Sequence, residues 1–242
     1  MIEPEKVRIL FISLRSDYGG GPTHMFDLVT GLNSFFEKYV ACPIQIPFYN
    51  MYEEKNIKVF PLPVRSFSLI SFFKLVRFTK SNYIDIVHSH GKGAGIYSRL
   101  LGFFARIPVV HTFHGIHYEK YSYLKQKLYF ITERGLSKLT KCIINVSGAE
   151  HDEGLRLKLF QKSKARIIYN GVDIDTICKS SIDIKLQKLI NSIKKDNILI
   201  CTVARFDYVK GIDVAIKAMK CLKEYHKTFK YILIGDGELK DE

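Results

Sequence analysis

Seven short apolar runs recur along the first 170 residues, and most are followed by a stretch with helical spacing. The runs are "VRILFISL" (7–14), "YVACPIQI", "IKVFPL", "IDIVHSH", "IPVVHTF", "KCIINVS" and "ARIIYN". Between them lie "PTHMFDLVTGLNSFF", with Pro22 in its first turn, then "SLISFFKLVRFTK", "AGIYSRLLGFFA", "YSYLKQKLYFITERGLSKL" and "AEHDEGLRLKLF". Strands that read as continuous apolar runs and alternate with helices imply a parallel sheet covered on both faces. The class is therefore α/β. After Asn170 the pattern breaks: "GVDIDTICKSS" reads as a linker and "DIKLQKLINSIKK" as a polar helix. A fresh β-α-β unit starts at Ile198 and runs to "YILIGDGELKDE". One such unit spans roughly 30 residues and does not close a doubly wound sheet. The expected organisation is one complete domain over 1–175 and the opening of a second over 176–242.

The charge is unevenly placed. Lys55 to Lys141 carries fifteen Lys and Arg against only Asp85, Glu119 and Glu133, nearly the whole of the net +13. A cationic face favours anionic lipid headgroups or phosphorylated substrates. Nucleic acid is set aside, because no nucleic-acid-binding motif accompanies the charge. Five cysteines, at 42, 142, 178, 201 and 221, form no C-x-x-C pair. They imply neither a disulfide framework nor a zinc knuckle and suit a reducing compartment. "MIEPEKVRILFISL" begins acidic and is only a strand's length, so a signal peptide is not expected. No stretch reaches the ~20 apolar residues of a membrane span. A cytoplasmic protein is expected, docked at the inner face of the cytoplasmic membrane. In "SLISFFKLVRFTK", Leu69, Phe72, Phe73 and Val76 make an apolar stripe, with Lys74, Arg77 and Lys80 on other faces. A membrane-surface helix and an ordinary sheet-covering helix both fit this pattern.

Several short segments carry candidate chemistry. "VARFDYVKGID" places Arg205, Lys210 and a glycine between a strand exit and a helix start, where an anion such as phosphate is held. A solvated turn with two surface cations is the competing reading. "LRSDYGGGPTHM" puts three glycines after the first strand, able to adopt positive φ and admit a ligand to the backbone. Its spacing excludes the dinucleotide fingerprint, which needs G-x-G-x-x-G at the strand exit. "HSHG" and "HTFHGIH" bring histidines to two strand ends. His88 and His111 read as structural; His90 and His114 each precede a glycine and read as site residues. No cysteine or paired acid completes a zinc site there, so no metal is expected. The D-x-D of Asp173 and Asp175 falls in the linker and is read as chance.

Seven segments in fixed order resemble the retaining GT-B glycosyltransferases of family 4. They are "GGGPTHMFDLVTGL", "IVHSHGKGAGIYSRLLG", "VVHTFHG", "NVSGAEHDEGL", "IYNGVD", "VARFDYVKGIDVAIKAM" and "LIGDGEL". The resemblance implies a GT-B fold of two Rossmann-like domains, the first complete and acceptor-side, the second donor-binding and incomplete. It implies transfer of a sugar from a nucleoside-diphosphate sugar to an envelope glycan or lipid-linked acceptor, without a cofactor or metal. Arg205 and Lys210 would neutralise the donor diphosphate, Gly20 and Gly21 would lie against the same phosphates, and Gly235 and Gly237 would border the nucleotide. His114 would face the transferred sugar as the catalytic residue, with His90 and Ser147 on the acceptor side. The family pattern continues past "GDG" to a Glu-x7-Glu segment that this chain, ending at Glu242, does not include. That departure implies a fragment of a longer enzyme or a truncated product. A GT-B epimerase or phosphorylase, or a non-catalytic membrane-binding remnant, are the alternatives.

Overall fold

β1 (Val7–Ser13) is buried on both faces: Leu10, Phe11 and Ile12 are all essentially inaccessible. Its alternate side chains feed two cores. Leu10 and Ile12 pack with Phe72, Leu75, Tyr97 and Leu101 on one side, and Ile9 and Phe11 with Met25, Phe26, Val29, Phe48 and Tyr52 on the other. Helices on both faces of a parallel sheet follow directly from that two-sided burial. The computed structural model describes residues 6–179, 181–226 and 228–240.

The first unit, Met1–Val172, continues with α1 (Gly20–Gly31), β2 (Phe36–Cys42), α2 (Phe48–Glu54), β3 (Lys58–Pro61) and α3 (Leu69–Ser81). β4 (Ile86–His90), α4 (Lys92–Ala105), β5 (Val109–Thr112), α5 (Tyr123–Lys138), β6 (Cys142–Asn145), α6 (Gly148–Arg156) and β7 (Ala165–Ile167) complete it. Its seven parallel strands stand in the order β3-β2-β1-β4-β5-β6-β7. Strand order reverses between β1 and β4, which is where open α/β sheets hold ligands, beyond the carboxyl ends of the strands. The register fixes what meets there, because Ser13 is opposite His90 and His90 is opposite Thr112. Arg99 of α4 and Glu133 of α5 form a fully buried ion pair at 3.0 Å. One member of the basic segment is thus withdrawn from the surface.

α2 is not anticipated by the sequence pattern. Phe48 and Tyr52, four residues apart, bury one face of it, and the strand reading of "YVACPIQI" overruns into its approach. α3 corrects the apolar stripe. Its buried face is Phe72, Leu75 and Thr79, whereas Leu69, Ile70 and Phe73 are exposed and Val76 is partly buried. The four stripe residues therefore do not share one environment. Among the described residues no helix is long and apolar enough to cross a membrane.

The second unit, Asp173–Glu242, begins three residues earlier than the expected boundary at 175/176. The reason is α7 (Ile174–Lys179), a short helix in the segment read as linker. α8 (Ile184–Lys194) is capped by Asp183, which accepts from the amides of Lys185 and Leu186. β8 (Ile198–Val203), α9 (Ile212–Tyr225) and β9 (Phe229–Ile234) form the expected β-α-β unit, with β8 and β9 parallel. Beyond the strands, the Ala204 amide donates to Ile234 O at 3.0 Å and the Phe206 amide to Asp236 O at 2.9 Å. Gly235 is needed for that approach, since a Cβ there would stand 1.8 Å from Ala204 O.

Candidate active site

A cavity of about 510 Å³ opens at the strand-order reversal of the first unit. Ser13 and Arg15 from the β1 exit, Gly21 from α1, His90 to Ala94 from β4 into α4, and His114 and His117 after β5 line it. Arg65, Lys92 and Tyr121 add to its wall. The Arg15 guanidinium is held by both carboxylate oxygens of Asp17, at 2.8 and 2.9 Å, and this pairing lowers the Asp17 pKa. Lys92 donates to Tyr121 Oη at 2.9 Å and sits 3.5 Å from the centre of the Tyr129 ring. The wall sets Arg15, Arg65 and Lys92 among apolar surface, a lining suited to an anionic or hydroxylated ligand.

The histidines sort into two groups by their hydrogen-bond partners. His88 Nε2 bonds Thr112 Oγ1 at 2.8 Å and His111 Nδ1 bonds Ser89 Oγ at 2.9 Å, both buried in the sheet. His90 and His114 meet each other instead, Nδ1 to Nε2 at 3.0 Å. Burial holds the His114 imidazole down at about 4, with His24 contributing, and holds His90 well below the ordinary value. Both rings are therefore neutral near pH 7, able to donate from one nitrogen and accept at the other. A third imidazole joins them: α1 supplies His24, whose ring centre lies 4.9 Å from that of His114. Its only sequence signal is its position, three residues after Gly21 in the first turns of a helix that starts at the sheet edge.

His114 has φ of 70°, a left-handed conformation uncommon for a side-chain-bearing residue. Gly115 follows at φ +102°, where a Cβ would also strike the His117 ring, so only glycine fits. Glu150 pins this turn. Its carboxylate accepts from the Gly115 amide and, at 3.0 Å, from the Val146 amide. Ser147 caps α6 by accepting from the Glu150 amide at 3.1 Å. Ser147, expected on the acceptor side, thus serves as a helix cap and does not line this cavity. Glu150 is legible as the last residue of an S-x-x-E capping pattern, a signal the sequence reading passes over.

The glycine run also differs from expectation. Gly20 and Gly21 open α1, and none of Gly19 to Gly21 lies in the left-handed region. A Cβ on Gly21 would meet the His114 ring at 3.6 Å, an ordinary contact, whereas Gly20 meets nothing within 4 Å and does not line the cavity. The remaining site residues lie in the second unit. Arg205 pairs with Asp207 at 2.8 Å, and Asp207 also accepts from the Lys210 amide. Both cations are exposed, on the turn leading through Gly211 into α9. Gly235 and Gly237 belong to the facing loop after β9, where a Cβ on Gly237 would stand 2.3 Å from Phe206 O. Their lack of side chains lets the two loops close on each other.

Residues 18–176 match the family model described as Glycosyltransferase Family 4, and residues 183–242 match Glycosyl transferases group 1. An uncharacterized 41.2 kDa protein in cps region of Klebsiella pneumoniae is 30% identical over 85% of this chain and 58% of its own length. The UDP-Gal:alpha-D-GlcNAc-diphosphoundecaprenol alpha-1,3-galactosyltransferase of Escherichia coli is 26% identical over 87% of this chain and 57% of its own. The crystal structure of Anabaena HepE in complex with UDP and glucose superposes with a TM-score of 0.78 at 20% identity, covering 97% of this chain and 62% of that one. The chain thus spans a little under three-fifths of the length of these two curated relatives.

Proposed function

Because the chain belongs to Glycosyltransferase Family 4, we propose that it serves a retaining transfer of a sugar from a nucleoside-diphosphate sugar to an envelope glycan or lipid-linked acceptor. The observation that carries this reading is the cavity at the β1/β4 reversal, where Gly21, His90 and His114 of three family segments converge. A relative named for a diphosphoundecaprenol-linked acceptor supports the lipid-linked class. In the reaction the donor C1–O bond breaks, an acceptor hydroxyl oxygen bonds C1, and its proton passes to the departing diphosphate. Arg205 and Lys210 take up the negative charge that grows on that diphosphate, so no metal or cofactor is assigned a step. His114 faces the transferred sugar as a hydrogen-bonding ring, beside Gly21 on the cavity wall. His90 orients His114 through their shared hydrogen bond and borders the acceptor side. Gly20, Gly235 and Gly237 are assigned to the donor side, where they let backbone amides approach phosphate or nucleotide. The test is incubation of an enzyme carrying residues 1–242 with a full-length family donor unit, labelled UDP-sugars and a diphospholipid-linked sugar. A product with the donor's anomeric configuration supports the reading; an epimerised nucleotide sugar, or no turnover at all, overturns it.

Arg205→Ala and Lys210→Ala are each expected to weaken UDP binding by about 10- to 100-fold. Contacts to charged groups contribute about 1.5–3 kcal/mol, and every 1.4 kcal/mol is tenfold in affinity. Calorimetric titration that finds both variants unchanged would return this loop to a solvated turn.

Peripheral membrane attachment belongs to the same reading. Ile70, Phe73, Phe103 and Phe104 are exposed on α3 and α4, and Lys74, Arg77 and Lys80 are exposed on α3. Each cation near an anionic bilayer contributes about 1 kcal/mol, screened over about 8 Å at physiological salt. Co-sedimentation is expected with anionic vesicles at low salt, to decline at high salt, and to be weak with neutral vesicles. Equal pelleting with both lipids, or none with either, removes the membrane from the proposal.

A further inference from the structure

His24, His90 and His114 each bring one ring nitrogen to within 4.8 Å of the other two. We propose that this triad binds a borderline divalent transition-metal ion, Zn²⁺ or its congeners Co²⁺ and Ni²⁺, with the remaining coordination position open to the cavity. Three observations support the site independently of sequence likeness. First, His90 Nδ1 and His114 Nε2 are 3.0 Å apart. Two nitrogens bound at ~2.0–2.1 Å to one tetrahedral ion are separated by roughly 3.3 Å, so this pair already spans an edge of the polyhedron. Second, the cluster holds an orphaned polar atom. His24 Nδ1 is buried and has no hydrogen-bond partner, and His90, whose Nδ1 faces His114, is only 4% exposed. Third, the ligands come from three separate elements of one sheet edge: the opening turns of α1, the last residue of β4 and the turn after β5. Rigid elements hold such a constellation more tightly than a loop does.

The donor set chooses the ion. Imidazole nitrogens without a carboxylate suit zinc, cobalt and nickel, whereas Mg²⁺ and Ca²⁺ require oxygen ligands. Arg15, Arg65 and Lys92 line the same cavity, which favours an anion as the fourth ligand over a second cation. The ion takes the place of the proton now shared by His90 and His114, which moves to the far nitrogen of whichever ring carried it. An ion so bound occupies His114 and excludes it from transfer. That consequence rests on the proposed role of His114; the binding itself does not.

The experiment is titration of untagged residues 1–242 with Co²⁺, read by visible absorption, followed by displacement with Zn²⁺. One ion per chain is expected, with the bands of four-coordinate cobalt and no cobalt–thiolate charge-transfer band. Mg²⁺ is expected to displace nothing. His24→Ala and His90→Ala should each weaken binding by at least about 100-fold, beyond what loss of an outer-shell partner costs. His117→Ala, on the cavity wall outside the triad, should leave it unchanged. His24 lies on a partly exposed helix face, so its variant carries the test if His90→Ala fails to fold. The proposal is overturned by absence of the bands in the unmodified chain, by unchanged binding in His24→Ala, or by loss of binding in His117→Ala. A thiolate band, placing the ion on the exposed Cys178, Cys201 or Cys221, overturns it equally.

Discussion

His114→Ala is expected to lower transfer activity by about 10²–10³-fold in an enzyme with a complete donor unit, while the first unit still unfolds in a single melting transition. A preorganised hydrogen-bonding group aimed at developing charge contributes on that scale when removed. The ring has the placement this requires. It lines the cavity beside Gly21, on a turn held by the Glu150 carboxylate, and it is neutral near pH 7 because burial lowers its pKa. Stability should fall by a smaller amount, about 1–3 kcal/mol, because His90 Nδ1 loses its partner in a buried setting. For a chain of this size that is a shift of several degrees, at about 2–4 °C per kcal/mol. Initial rates with a labelled donor, and calorimetric melting of the same preparation, separate the two effects. Loss of the melting transition would make His114 a core residue, and unchanged rates would remove it from the site.

Glu133→Ala carries the largest expected effect on folding, about 3–5 kcal/mol, by stranding the Arg99 charge inside the first unit. Arg99 and Glu133 are 0% and 2% exposed. Arg99 Nε donates to Thr140 Oγ1 at 3.0 Å, Nη1 donates to Glu133, and Nη2 already lacks a partner. Burial pushes the Arg99 pKa down, and Glu133 is the first group that opposes the shift. Removing Glu133 leaves no carboxylate to balance the guanidinium. The pair ties α4 to α5, and Lys92 in the first turn of α4 lines the cavity, so loosening it also disturbs the cavity edge. A double replacement, Arg99→Met with Glu133→Leu, should recover most of the loss, because an apolar pair of similar volume avoids desolvating two charges. Denaturant unfolding of the single and double variants checks this. A single-variant cost under 1 kcal/mol, or a double variant no better than the single, would contradict it.

Elements with strong local periodicity are legible in the order of the residues alone. All seven strands of the first unit, the β-α-β of the second and the amphipathic helices α1, α3, α4 and α5 follow from apolar spacing, because a strand or helix is specified by neighbours along the chain. Strand ends are less legible, since "YVACPIQI" runs four residues past the end of β2 at Cys42, whereas a glycine follows both His90 and His114 at their strand exits. Short elements are not legible in this way. α2 and α7 span seven and six residues, too few for a period to stand out.

Convergence is decided only by tertiary structure. The alternation of α3 is plain in its residues, but which of its apolar side chains face the sheet depends on α4, whose Tyr97 and Phe104 pack against Phe72. Ser147 reads as an acceptor-side residue, and only the fold shows that its hydroxyl also caps α6, meeting the Glu150 amide one helical turn on. His24, Glu150 and the Arg99–Glu133 pair are each visible as letters, yet nothing local marks what they meet across the fold. Glu133 stands 34 residues from Arg99, and Gly115 stands 35 from Glu150. The parallel order β1-β4-β5 places the ends of these three strands side by side, and that long-range pairing turns three separate histidines into one cluster. Local sequence dictates which way each residue leaves its own strand or helix; only the packing of distant elements dictates what it meets there.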